Sequence, residues 1–220
     1  MSLKNIVTKL HTSTNRDYLG RVNSVDKAWA AEKAGLWGED YWDGSRNTGY
    51  GGYNYDGRWR SVAQDLIEIY NLQDDAKILD IGSGKGFLLH DLKQINPSFQ
   101  VAGIDISWYA IEHSMELVRD NCYHGCASSL PFKDNEFDLV ISINTLHNLN
   151  LHKLWRALQE MNRVSKASQY LCVEAYRNEK EKVNLLYWQL TCRAFFNPED
   201  WEFIFEKVGY NGDYEYIYFE

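Results

Sequence analysis

From Lys77 onward the chain alternates between short apolar runs and helical stripes. Lys77 to Ile81 (KILDI) is an apolar run ending beside an acid, the pattern of a strand buried on both faces. Phe87 to Ile95 reads as a helix, Phe99 to Ile106 (FQVAGIDI) as a second strand, and Trp108 to Val118 as a second helix. Phe137 to Ile143 (FDLVISI) is a third strand, Leu151 to Val164 a helix, and Gln169 to Glu174 a fourth strand. Pro198 to Val208 reads as a helix with proline near its first turn, and Tyr214 to Phe219 (YEYIYF) alternates like a last strand. Just ahead of this series, Ser61 to Tyr70 carries Val62, Leu66, Ile67 and Ile69 at helical spacing behind a Ser61 cap. Strands alternating with helices predict an α/β fold, a parallel sheet with helices on both faces.

The region before it has another character. Met1 to Arg60 carries no strand signal; Lys27 to Lys33 is alanine-rich and helical, and Gly35 to Gly57 is loop-like, rich in Gly, Asp, Asn and aromatics. The expected division is an N-terminal helical and aromatic, glycine-rich lid over residues 1–60 and a main domain over 61–220. Within the first part, Asn47 to Trp59 (NTGYGGYNYDGRW) has neither helical nor strand period. Long structured loops of this kind are often lids or binding loops. The alternative is a structural apron whose rings fill a groove.

Composition narrows the partners. Of 220 residues, 45% are hydrophobic and 25% charged, ordinary for a globular protein. The net charge of -8 argues against a nucleic-acid surface, which needs clustered Lys and Arg. Aromatics reach 15%, with eight Trp, and such rings line small-molecule pockets as well as cores. No segment has the apolar core of a signal peptide or membrane-spanning length. The expectation is therefore a cytoplasmic protein with a small-molecule substrate, neither nucleic acid nor membrane as partner, and no indication of oligomeric state. Cys122 and Cys126 flank one histidine but lack a second ligand pair, so no metal is expected.

The candidate chemistry starts at Asp80-Ile-Gly82-Ser83-Gly84-Lys85-Gly86. A glycine loop between strand and helix lets backbone approach a ligand without Cβ obstruction. A phosphate-binding P-loop fails at both ends, because Gly86 follows Lys85 and Leu79 stands where the first glycine would be. A dinucleotide loop, G-x-G-x-x-G, fails because its third glycine comes one residue early. The remaining reading is an acid, Asp80, two residues before G-x-G-x-G and facing a positively charged ligand end. Asp105, at the tip of the next strand, suits ribose hydroxyls.

These residues resemble the class I S-adenosylmethionine-dependent methyltransferases: ILDIGSGKG is similar to their first motif, GIDIS to their second, and ASSLPFKDNEFDLVISINTLHNL to the segment running to the fourth strand. The resemblance covers about Lys77 to Glu220. It implies a Rossmann-like, doubly wound, mostly parallel seven-stranded sheet with an antiparallel C-terminal strand, and S-adenosyl-L-methionine as cofactor. By the same resemblance Asp80, Gly82, Ser83, Gly84 and Gly86 would form the methionine end of the site and Asp105 would take the ribose. Ile106 would pack on the adenine, Ala127 would meet its edge through backbone, and Asn144 would lie beneath the sulfonium. Cys126 stands where the family often has an acid for the adenine amine.

Methyl transfer leaves the protein to position, desolvate and sometimes deprotonate the acceptor. The sequence after the fourth strand of the motif series, N-T-L-H-N, lacks the Asn/Asp-Pro-Pro-aromatic pattern of amino methyltransferases. That favours a small polar acceptor, a sugar or sugar-like metabolite methylated on O or N. The alternatives are a protein or nucleic-acid methyltransferase, or a non-catalytic cofactor-binding protein. His147 and Asp56 are the candidate bases, with a packed helix-start histidine as the alternative for His147. Asp43, Tyr50, Tyr53, Tyr55 and Glu174 are the candidate acceptor contacts.

Overall fold

A computed structural model describes residues 1–12 and 16–220. The chain begins with four short helices, α1 (Thr8–Thr12), α2 (Tyr18–Asn23), α3 (Lys27–Ala34) and α4 (Glu39–Trp42). There follow α5 (Trp59–Ile69), β1 (Lys77–Ile81), α6 (Phe87–Ile95), β2 (Gln100–Asp105), α7 (Trp108–Glu112) and β3 (Cys122–His124). The remainder is β4 (Phe137–Ile143), α8 (Leu151–Val164), β5 (Ser165–Glu174), α9 (Glu179–Trp188), α10 (Pro198–Val208) and β6 (Asp213–Ile217).

The strands form one sheet in the order β3-β2-β1-β4-β5-β6. Every neighbouring pair is parallel. The fold is thus Rossmann-like, but the expected seventh strand and antiparallel last strand are corrected: among the described residues there are six strands, and β6 runs parallel to β5. The cause is the connection. An antiparallel partner follows a hairpin, whereas here helix α10 crosses over between β5 and β6, which returns the chain in the same direction.

Residues 78–81 of β1 are buried because both sheet faces are covered. One face packs Val62, Ala63 and Leu66 of α5 and Leu88, Leu89 and Leu92 of α6. The other packs Leu154, Ala157, Leu158 and Met161 of α8 with Trp201 and Phe205 of α10. The outer edge of β6 is paired as well: Lys4 donates its backbone N–H to Tyr214 O at 2.8 Å, and Tyr214 donates to Ser2 O at 3.1 Å. The buried Glu215 carboxylate accepts the N–H groups of Ile6, Val7 and Thr8 at 2.5 to 3.0 Å. It thereby satisfies donors that a helix start leaves free. Ile6 and Val7 lie in the same core as β1.

Two predicted helices changed. The helix predicted from Ser61 starts at Trp59, and Ser61 Oγ bonds back to Arg58 O rather than capping. The predicted helix from Trp108 to Val118 stops at Glu112. Ser114 Oγ donates back to Ala110 O, and Met115 N–H leaves the helical ladder for Lys85 O at 3.0 Å. Side chain and glycine loop together outbid the next turn.

Candidate active site

Strand order reverses between β1 and β4, and in such sheets ligands bind at the carboxyl ends beside that reversal. The glycine loop leaves β1 there. Gly82 has φ +82°, and a Cβ on it would fall 1.9 Å from Thr145 Oγ1; a Cβ on Gly84, at φ +53°, would fall 2.8 Å from the Trp42 ring. Both are therefore required by the chain's own packing. The loop, Asp80, Ser83, Asp105, Ile106, Ala127 and Asn144 line a cavity of about 300 Å³. This brings together the sequence-predicted cofactor residues except Gly86, which starts α6 on the far side against Val118 and Cys122.

The electrostatics of this cavity are unusual. Burial, reinforced by Asp105, pushes the Asp80 carboxyl up to about 7. Burial also raises Asp105, although its two oxygens accept N–H bonds from Gly84 and Ser107, each at 2.8 Å. Two crowded acids favour a ligand with a cationic end, which restores the charged form of Asp80. The buried Ser83 Oγ has no hydrogen-bond partner among the described residues, so one donor is left over. Asn144, just past β4, holds φ +54°, a conformation Asn tolerates better than most residues.

The N-terminal segment closes over this cavity. Tyr50 N–H returns to Tyr41 O at 2.8 Å, folding residues 41–50 into a compact loop. Trp42 Nε1 donates to Ser107 Oγ at 2.9 Å. Its ring stacks on Tyr50 with centroids 5.5 Å apart, and Tyr53 stacks on Phe87 at 4.8 Å. Tyr50 and Tyr53 line the cavity. Asp43 does not line it: its carboxylate takes Lys85 Nζ, Tyr109 OH at 2.9 Å and Tyr53 N–H at 3.1 Å. Burial would raise Asp43, but these bonds hold it below the usual range. Tyr55 points away, donating to Asp91 at 2.5 Å beside His90. Asp56 is at the surface, chelated by Arg58 Nε at 2.8 and 2.9 Å. The expected acceptor contacts of Asp43 and Tyr55 and the expected base role of Asp56 are corrected accordingly. Each side chain has a partner that turns it from the cavities.

A second cavity of about 250 Å³ adjoins the first, and Tyr41, Tyr50, Tyr53, Trp59, Asn144 and Asn148 line both. Its floor holds His147 and Glu174, both buried. His147 Nε2 is 3.4 Å from Glu174 Oε2, close enough for an ion pair but not aligned as a hydrogen bond, since Oε2 has no hydrogen-bond partner among the described residues. Burial pushes His147 down to about 3 and Glu174 up to about 8, so both are neutral at pH 7. Gln189 donates to the other Glu174 oxygen. Sequence reading did not single out Tyr41 and Trp42, which lay in the Gly35 to Gly57 stretch read as a loop rich in Gly, Asp, Asn and aromatics. It also missed Trp188, Gln189 and the arginines of this cavity, because α9 has no apolar stripe and the arginines come from separate segments, Arg21 from α2 and Arg46 from a loop.

Residues 79–173 match the family model described as a methyltransferase domain. YrhH of Bacillus subtilis is 25% identical over 133 residues, which are 56% of this chain and 71% of YrhH. The demethylmenaquinone methyltransferase of Staphylococcus aureus is 35% identical over 125 residues, 53% of this chain and 48% of that one. The chain spans about half the length of the demethylmenaquinone methyltransferases it matches. Among solved structures, YcgJ of Bacillus subtilis superposes with a TM-score of 0.53 at 21% identity, covering 66% of each chain, a likeness of fold. No helix among the described residues is long and apolar enough to cross a membrane.

Proposed function

We propose that this chain, whose residues 79–173 match the methyltransferase-domain model, is a class I S-adenosylmethionine-dependent methyltransferase that transfers a methyl group to an O or N atom of a small polar molecule held in the second cavity. The observation that carries this reading is the shared wall. The glycine-loop cavity and the His147–Glu174 cavity meet at Asn144 beneath one roof of Tyr41, Tyr50 and Tyr53.

The donor set of the first cavity fits the cofactor. Asp80 would face its cationic methionine end and Asp105 its ribose, each accepting hydrogen bonds. Ile106 offers an exposed apolar face for the base, and Ala127 a backbone edge. When bound, the cofactor supplies an electrophilic methyl group and a neutral sulfide leaving group. The chain's own part is to orient and dry the acceptor. Tyr50 and Tyr53 exclude water from the junction, and Asn144 holds the meeting point of the cavities. Among the lining acids and bases, Glu174, raised to about 8, has the ionisation suited to taking the acceptor's proton at alkaline pH, above the range in which burial keeps it protonated. Gln189 positions that carboxyl by donating to its other oxygen, and His147 stands neutral beside it. The polar floor supports a sugar-like or otherwise polar acceptor over an apolar one.

Calorimetry with S-adenosylhomocysteine, followed by a turnover screen of small polar acceptors, tests the reading. One-to-one binding is expected, with Asp105→Ala weakening it by roughly 1–3 kcal/mol, the scale of lost charge-assisted hydrogen bonds. Binding of NAD in place of the methylated cofactor and its product would overturn it. Stoichiometric cofactor binding without turnover, in a screen that includes protein and RNA, would favour a non-catalytic role.

A further inference from the structure

One guanidinium group of the second cavity is held by three other side chains. His11 Nε2–H donates to Tyr218 O at 2.9 Å, which leaves Nδ1 as an acceptor, and Arg16 Nη2 donates to that nitrogen at 3.1 Å. Burial, and then the charge of Arg16, pushes His11 down to about 4, so the ring is neutral and the acceptor is kept at pH 7. The Arg16 guanidinium carbon lies 5.2 Å from the centre of the Phe219 ring and 5.4 Å from that of Trp188. A planar cation so seated is fixed in place and orientation. Arg16, His11, Trp188 and Phe219 line the cavity together with Glu174, the one acid among its described lining residues.

Arg16 and Glu174 act on each other. Burial raises the Glu174 carboxyl, whereas the Gln189 hydrogen bond and then the Arg16 charge draw it down. Burial lowers Arg16, and Glu174 and Tyr18 raise it against the charge of Arg46. The other titratable groups around this carboxyl bring no charge at pH 7: burial keeps His147 neutral and holds Tyr41, Tyr50, Cys172 and Cys192 protonated. The remaining arginines of the cavity are engaged elsewhere. Arg58 is met by Asp56, and Arg21 and Arg46 stack on Trp188 and donate to Trp188 O and Tyr50 O. Glu174 Oε2, with no hydrogen-bond partner among the described residues, has no donor to steady its charge, so a fixed cation in the same cavity matters more.

We propose that Arg16 is a positioning residue for methyl transfer: seated by His11, Trp188 and Phe219, it supplies the countercharge that lets Glu174 ionise in a dry cavity and act as the base. When the acceptor's O–H or N–H bond breaks, its proton passes to Glu174 as the bond to the methyl group forms. The negative charge of the carboxylate and the positive charge of the sulfonium are then lost together, and Arg16 faces a neutral acid. A base works best when it titrates near the working pH, and Arg16 keeps Glu174 within reach of it against burial. This inference rests on Glu174 being the base.

The test follows the glutamate side-chain carboxyl carbons by NMR against pH in the full chain, with no cofactor or acceptor added, and E174Q identifies the Glu174 signal by its loss. In the unaltered protein this signal is expected to titrate at about 8. R16M, which keeps a long side chain against the two rings, is expected to raise that midpoint by about one pH unit or more, and R16K to stay within about half a unit of the unaltered value. A merely structural arginine predicts the opposite sign, because looser packing admits water and lowers the midpoint. A midpoint unchanged or lowered in R16M would overturn the proposal. If R16M fails to fold, H11F, which keeps a ring beside Phe219 but takes away the acceptor for Arg16, is expected to raise the midpoint, and no rise there overturns it equally. Full turnover by E174Q in the acceptor screen would instead remove Glu174 as the base, and the proposed role of Arg16 with it, whatever the titration shows.

Discussion

Lys85 of the glycine loop donates to both carboxylate oxygens of Asp43, at 2.7 and 2.6 Å, and to Tyr53 O at 3.0 Å. The lysine side chain is 8% exposed and the aspartate 27%, so this is a largely desolvated pair. It ties the aromatic N-terminal segment to the loop that follows β1. A lid that merely rested on the cavity would have no such fastening.

Cutting that fastening is expected to cost both stability and cofactor affinity. Asp43→Ala leaves Lys85 buried without its partner, and the loss is expected at about 1–3 kcal/mol, below the full cost of breaking a wholly buried pair because Asp43 is partly exposed. Thermal melts with and without S-adenosylhomocysteine read both effects. An unchanged melting temperature would mean that the pair adds nothing to the fold.

Trp42 sits under the same roof with its ring against Gly84. Trp42→Ala is expected to destabilise the protein by roughly 3–5 kcal/mol, as for other large core aromatics, and to weaken cofactor binding in the refolded variant. Tyr53→Ala, which removes a ring shared by both cavities, is expected to lower turnover more than stability. Comparing denaturant midpoints with turnover separates the two, and equal proportional losses would favour a purely structural roof.

Asp80 sets a pH dependence. Its carboxyl titrates at about 7 in the free protein, and a cationic ligand end lowers that value, so binding releases a proton. Affinity for S-adenosylmethionine is therefore expected to rise with pH, roughly tenfold from pH 5.5 to 7.5, and to level above that. Asp80→Asn should bind weakly and without this slope. Calorimetry in buffers of different ionisation heat counts the released proton directly.

Glu174 acts on stability. Its carboxyl is raised from 4.5 to about 8 in the fold, so the folded state holds a proton that the unfolded chain has lost. Stability from this group is intact below about 4.5 and is lost as pH rises to about 8. Glu174→Gln, which cannot ionise, is expected to match the unaltered protein at pH 5 and to exceed it by on the order of 2–4 kcal/mol at pH 9. Its turnover is expected to fall at every pH, if Glu174 accepts the proton.

Asp56 supplies the contrast. It lines neither cavity and is chelated by Arg58. Asp56→Ala is expected to leave cofactor affinity and turnover within twofold of the starting values. A hundredfold loss of turnover would return it to the list of candidate bases.

The amino-acid sequence by itself determined the strand and helix series and the cofactor end of the site. Asp80, Gly82, Gly84 and Asp105 each sit at the end of a strand whose apolar run is readable locally, and the parallel sheet then has to bring those ends to one edge. The parallel direction of β6 came from the α10 crossover, and the covering of its edge and the break after Glu112 depended on partners far along the chain: Ser2 and Lys4 for β6, and Lys85 O for the N–H of Met115. The second cavity was still less legible. Tyr50 and Tyr53 could be picked out by composition, but the same composition also offered Tyr55 and Asp56, and only the bonds to Asp91 and Arg58 turned those two outward. Arg21, Arg46 and Trp188 carry no local pattern at all. Helical and strand periodicities report which residues face one surface of one element, whereas a pocket between loops is made by residues with no fixed spacing, brought together only when the core beneath them has packed.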